Sequence, residues 1–194
     1  MRKLFLAIFS LTLVVSSFSA FESTYEPLQS EKVLFINGNI LDGEGNELLD
    51  TDLLIGDGKI IAIGKGISVD DENVKVIDAK NKWITPGIID IHSHMGVYPA
   101  PSVRTSSDGN EATSPVTAEV WAEHSMWVQD PQYALALKGG VTTFHVLPGS
   151  ANLIGGRGVT VKNLQRNTIQ SMKFPDAKHS LKMACGENPK RVYG

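Results

Sequence analysis

Short apolar runs separated by turn dipeptides dominate residues 31–86. VLFI, LLIG, KIIAIG and VKVID are rich in Val, Ile and Leu, and Asn37-Gly38, Asp42-Gly43 and Asp57-Gly58 stand between them. Asn, Asp and Gly tolerate the positive φ that tight hairpin turns require. The pattern predicts a small antiparallel sheet over 31–86, with its clearest hairpin at LLIG-DG-KIIAIG. Alone it would hold about 55 residues, a marginal core. Residues 20–30 (AFESTYEPLQS) are polar and aperiodic and predict a linker.

The pattern changes at Pro86-Gly87. GIIDI, residues 87–91, is a near-continuous apolar run, which predicts a strand buried on both faces, as in a parallel sheet covered by helices. Residues 99–117 are rich in Pro, Ser, Thr and Gly and predict a long loop. AEVWAEHSMWV, residues 118–128, predicts a helix with Val120, Trp121, Trp127 and Val128 near one face. Asp130-Pro131 supplies an N-cap and a first-turn proline for QYALALK, and Gly139-Gly140 ends that helix. Residues 141–147 (VTTFHVL) predict a second strand, 149–158 (GSANLIGGRG) a glycine-rich loop, and 159–161 a short strand. Residues 163–173 (NLQRNTIQSMK) predict a helix and 181–185 (LKMAC) a third strand; no helix is expected at the closing RVYG. The order β, helix, β, helix, β implies an α/β fold with a parallel sheet or barrel.

The first residues carry a different signal. Arg2 and Lys3 precede the apolar LFLAIFSLTLVV, and SSFSA follows. A charged start, a short apolar stretch and small residues predict a secretory signal peptide over 1–19. Twelve apolar-run residues are too few to span a bilayer, so no stable membrane anchor is expected after cleavage. The expected location is exported, periplasmic or secreted. Cys185 is the only cysteine, which excludes an internal disulfide and suits a small buried hydrophobe. Net charge is −3 with no basic run, so a nucleic-acid partner is not expected; composition leaves the oligomeric state open.

His92 and His94 are the candidate chemistry. In a strand, a spacing of two puts both imidazoles on one face, here at the carboxyl end of the apolar run. Two neutral imidazoles make a ligand pair for zinc or a similar divalent ion, one ion or two. Asp90 is on the same face one step deeper, a candidate acceptor for an imidazole N–H. Gly96 permits a sharp turn above them. A histidine pair at this spacing is also common in surface loops, and the spacing alone does not separate the two readings. Among the other histidines, His124 suits a helix surface, His145 a packed position and His179 a solvated one. Arg157 in the glycine-rich loop could meet an anionic group, and Asp108, Asn110 and Glu111 could touch a substrate but suit a solvated loop better.

ITPGIIDIHSHMG, residues 84–96, resembles the first barrel strand of the amidohydrolase superfamily. The preceding VLFINGNILDG, LLIGDGKIIAIG and VIDAKNKWITPG resemble the β-domain of the imidazolonepropionase-like and dihydroorotase-like branches. GGVTTFHVLPGSAN is similar to that group's second strand. The resemblance implies a TIM-like (β/α)8 barrel with a small β-sandwich, and a metal-dependent hydrolase that activates water against a C–N bond. The substrate would be a small molecule: a cyclic amide, an N-acyl compound or a small peptide. His92 and His94 would match the first two metal ligands. A third, a carboxylate or carboxylated lysine, falls on Glu187, just beyond the predicted third strand, in preference to its rival Lys182 inside it, because ligands sit at strand ends. The 108 residues from Gly87 to Gly194 are short of the roughly 250 of a complete barrel. The expectation is therefore an incomplete barrel over 87–194, the N-terminal part of a longer enzyme whose base lies elsewhere. The alternative is a truncated or non-catalytic domain of the same fold that binds metal or a small ligand.

Overall fold

The computed structural model describes residues 20–194, and the signal peptide predicted over 1–19 lies outside them. Among the described residues, no helix is long and apolar enough to cross a membrane. The first five strands are β1 (Val33–Leu41), β2 (Glu47–Gly56), β3 (Lys59–Gly64), β4 (Lys75–Asp78) and β5 (Trp83–Ile84). They form one sheet in the order β3-β2-β1-β4, with β5 also on β1. The sheet is mixed rather than antiparallel: β1 pairs antiparallel with β2 but parallel with β4 and β5. The β2–β3 hairpin turns at Asp57 and Gly58, whose φ values of 50° and 69° are those an Asp-Gly turn supplies.

Asn37-Gly38 is not a hairpin turn. It is a bulge inside β1, where the register to β2 shifts between Phe35 and Gly38. Asn37 takes φ 59°, and its N–H donates to the buried Asp52 carboxylate at 3.0 Å. A second N–H, from Ile67, reaches the same carboxylate at 3.1 Å. These bonds, that from Asn37 first, hold the Asp52 pKa below the ordinary carboxylate value.

The second half contains β6 (Ile88–Ser93), α1 (Gln132–Lys138), β7 (Val141–Val146), β8 (Ile154–Arg157), β9 (Val159–Lys162), β10 (Leu181–Met183) and α2 (Glu187–Tyr193). The chain is thus α/β, and β6, α1 and β7 make a parallel β-α-β unit. The remaining strands depart from the expected parallel order: β9 runs antiparallel to β7, and β10 antiparallel to β8. β8 lies within the predicted glycine-rich loop, and α2 forms where no helix was expected.

The two other predicted helices do not form. In 118–128 only a 3-10 turn at Ala122–His124 appears. Tertiary pairing takes over there: Arg157 N–H donates to the Val120 carbonyl at 2.7 Å, and its guanidinium lies 4.7 Å from the Trp121 ring centre. Residues 163–173 fold back on β9, where Lys162 N–H donates to Met172 O at 2.7 Å. Lys173, at the end of that return, makes a buried 2.6 Å ion pair with Glu123. The core gathers Val97, Tyr133, Phe144, Val146, Val159, Val161 and Met172 around β7 and β9.

Two burial expectations are overturned. β6 is not buried on both faces: Ile88, Ile89 and Ile91 are exposed, since β6 pairs with β7 alone. Cys185 is exposed rather than buried, because it follows the end of β10 instead of continuing the strand into a core.

Candidate metal and substrate site

The site forms where β6 ends beside β7. Leu147, just past β7, ties the two strand ends together. Its N–H donates to Ser93 O at 3.0 Å, and its carbonyl accepts from His94 Nδ1 at 2.9 Å. A carbonyl can only accept, so Nδ1 carries the proton and the Nε2 lone pair of His94 is left free. The His92 ring stands edge-on to it, centres 5.4 Å apart at 83°. Ser93, between them, is buried on the opposite face, as the strand alternation requires.

Lys182 of β10 brings a third nitrogen. Its Nζ lies 3.0 Å from His92 Nε2. The ammonium beside it, then burial, then His94, push the His92 pKa below the usual histidine value. Burial likewise lowers the Lys182 pKa. Asp90 does not take an imidazole proton; its Oδ1 accepts the backbone N–H of His92 at 3.1 Å. Glu187 stands at the first position of α2 and is exposed. Among the described residues, no three His, Cys, Asp or Glu side chains gather at one point. What the site does bring together is the edge-on imidazole pair, which suits a borderline divalent ion such as zinc, with Lys182 Nζ beside His92.

The chain turns away from the histidines at Gly96, with φ 80° and a hypothetical Cβ colliding with the Tyr133 hydroxyl. Buried Asp130 holds this turn. One carboxylate oxygen accepts Gly96 N–H at 3.0 Å, while the other accepts Gln132 N–H at 3.0 Å and so caps α1. Gln132 Nε2 then donates to Tyr98 O at 3.0 Å. The Tyr98 ring comes edge-on to His94, centres 5.5 Å apart. Asn110 Nδ2 donates to the Tyr98 hydroxyl.

The other residues singled out in the sequence fall outside this centre. His124 lies in the 3-10 turn, and His179 Nδ1 donates to the Gly158 carbonyl at 2.8 Å. His145, in β7, bonds Thr160 and Ser180. Arg157 is committed to Trp121 and the Ala118 carbonyl rather than to a ligand. The sequence reading missed Tyr98 and the double use of Asp130. The DP pair before QYALALK was the signal for the cap, but nothing local marks its reach to Gly96.

No family model matches the chain. It is 34% identical over 154 residues to an amidohydrolase, tasK, of Hapsidospora irregularis, a match covering 74% of this chain and 16% of that protein. It is 36% identical over 117 residues to the dihydroorotase of Bacillus cytotoxicus, covering 60% and 21%. The crystal structure of an amidohydrolase from Thermotoga maritima superposes with a TM-score of 0.71 at 39% identity, over 83% of this chain and 41% of that one. The chain therefore spans less than half the length of each of these relatives. With the histidine pair, the strand before it and this likeness in sequence and in space, the chain belongs to the amidohydrolase superfamily and matches it over a part of its length.

Proposed function

We propose that this chain carries the first metal ligands of an exported, metal-dependent hydrolase that cleaves a C–N bond in a cyclic amide, an N-acyl compound or a small peptide. In this reading residues 31–86 are a β-domain, and 87–194 the opening part of an incomplete barrel. The observation that carries it is the fixed tautomer of His94: the Leu147 carbonyl holds its proton at Nδ1 and leaves Nε2 as a lone-pair donor beside His92. This is the arrangement that orients a ligating histidine. A bound divalent ion, zinc first, would lower the pKa of a water and polarise the substrate carbonyl.

The chain's own residues do the rest. Lys182 Nζ sits 3.0 Å from His92 Nε2, and burial eases the loss of its proton. A neutral amine can add carbon dioxide, losing one proton to become a carbamate, and so supply the oxygen donor the site lacks. Glu187 is the other candidate for that role, and the geometry favours Lys182. Asp130 and Gln132 hold the turn that keeps Tyr98 on His94. The predicted signal peptide over 1–19 supports export.

Equilibrium dialysis against zinc followed by metal analysis tests the reading. Wild type should retain metal, and His92→Ala and His94→Ala should each lose it by at least about ten-fold, the penalty seen even for partners of ligands. Hydrolysis of simple amides that stops on chelation supports the enzyme. Metal retention with no turnover supports a non-catalytic domain of the same fold, and metal binding that ignores both histidines sinks the proposal.

A further inference from the structure

The cleft beside His94 presents hydrogen-bond donors. It measures about 220 Å³ and is lined by His94, Tyr98, Asn110, Ser150, Asn188 and Arg191 with the backbone at 149–151; none of these side chains is acidic. The direction of each bond follows from groups that can only donate. The Ala151 N–H donates to Asn110 Oδ1 at 3.1 Å, which turns Asn110 Nδ2 toward Tyr98. The phenol oxygen therefore accepts, and its own proton stays free. The Arg191 guanidinium donates to Asn188 Oδ1 at 3.2 Å, which turns Asn188 Nδ2 toward Ser150 Oγ at 2.7 Å. Ser150 accepts as well, and its proton too is free.

The cleft is also built to hold Tyr98 in place. A Cβ at Gly109 would collide with the Tyr98 ring, and one at Gly149 with its hydroxyl and with Asn110. Backbone closes on the ring from two sides, so the hydroxyl cannot swing away without moving the chain. Two free O–H groups and the remaining guanidinium N–H groups thus line the cleft next to the histidine pair. This donor-rich, singly cationic lining is complementary to a carboxylate, which only accepts and which a guanidinium pairs with closely.

We propose that this cleft is a subsite for a carboxylate of the substrate, bound by Arg191, Ser150 and Tyr98, so that the preferred amides carry a free carboxylate near the scissile bond. The place of that bond rests on the hydrolase reading above; the anion subsite itself stands on the cleft alone.

The test uses the full chain stripped of metal with a chelator, so that no ion can bind the carboxylate. It is titrated with N-acetylglycine and with N-acetylglycinamide, and the amide NMR signals of Ala151, Asn110 and Asn188 are followed. The acid should bind at least about ten-fold more tightly than its neutral amide, the scale of a hydrogen bond to a charged group. Arg191→Gln should weaken the acid by a similar factor and leave the amide unchanged, with Arg191→Lys between. Ser150→Ala, a smaller change, should weaken it about three-fold and stands in for Arg191→Gln should that variant fail to show the wild-type thermal transition. Equal binding of acid and amide, or acid binding indifferent to both substitutions, overturns the subsite. Neither result depends on metal or turnover, so this proposal and the hydrolase reading fail separately.

Discussion

β6 and β7 lie side by side and parallel, and their sequences and burial run in opposite directions. β6 is IIDIHS, with three isoleucines, and all three are exposed. β7 is VTTFHV, with two threonines and a histidine, yet Phe144 and Val146 are fully enclosed. Composition ranks β6 as the buried strand. Neighbours decide otherwise: β7 has strands on both sides and α1 against it, whereas β6 has β7 alone. Apolar runs predict that a strand forms; what packs on it decides how much its burial stabilises.

The largest test of this contrast is Phe144→Ala. Phe144 is 0% exposed and packs in the core with Tyr133, its ring centre 5.9 Å away. Truncation should cost about 3–5 kcal/mol, the range for emptying an aromatic core position. Urea unfolding of the two proteins measures it, and a loss below about 1 kcal/mol would mean that β7 is not the centre of the core.

Ile91→Ala is the matching change in β6. Ile91 is 76% exposed, so its removal should alter stability by no more than about 0.5 kcal/mol. A cost above about 2 kcal/mol would mean that the isoleucine face is covered in solution. In that case a concentration-dependent midpoint would identify a second copy as the cover. The relatives extend well beyond the matched portion, and their further length offers another way to cover such a face.

The same contrast explains how much could be read beforehand. Strands in 31–86 were legible because Val and Ile runs and Asp57-Gly58 mark them locally. Asn37-Gly38 misled because a bulge and a hairpin turn need the same positive φ. The segments 118–128 and 163–173 have helical composition, but Trp121 stacks with Arg157 and Lys173 pairs with Glu123, contacts that no local window contains. β8 was hidden by Gly155-Gly156, since its pairing with β10 uses backbone and needs little from side chains. The histidine pair was legible because its spacing states which face it occupies. The approach of Lys182 to His92 spans ninety positions and was visible only as one of two rivals. Tyr98 and Asn110 lie in a loop without periodicity, and their role emerges only from the glycines that close on them.

The smallest predicted effect separates the histidines of the two strands. His145 in β7 has its pKa lowered by burial first, then by His179 and His92. His92 in β6 has its pKa lowered first by the charge of Lys182. In both cases the unfolded chain binds protons more readily than the folded one below the ordinary value of 6.5. The contribution of these histidines to stability is therefore level above that pH and falls as pH drops through it toward the lower folded values. The causes differ in one measurable respect: salt screens the exposed Lys182–His92 charge interaction, but it does not restore water to a half-buried ring. Unfolding midpoints across this pH window, in low and high salt, should show a slope that salt reduces only in part. His145→Gln, which keeps a donor and an acceptor for Thr160 and Ser180, should remove most of the part that survives salt, the remainder being the burial of His92. A variant that kept the full slope in high salt would show that burial in β7 is not what disfavours the charged imidazole.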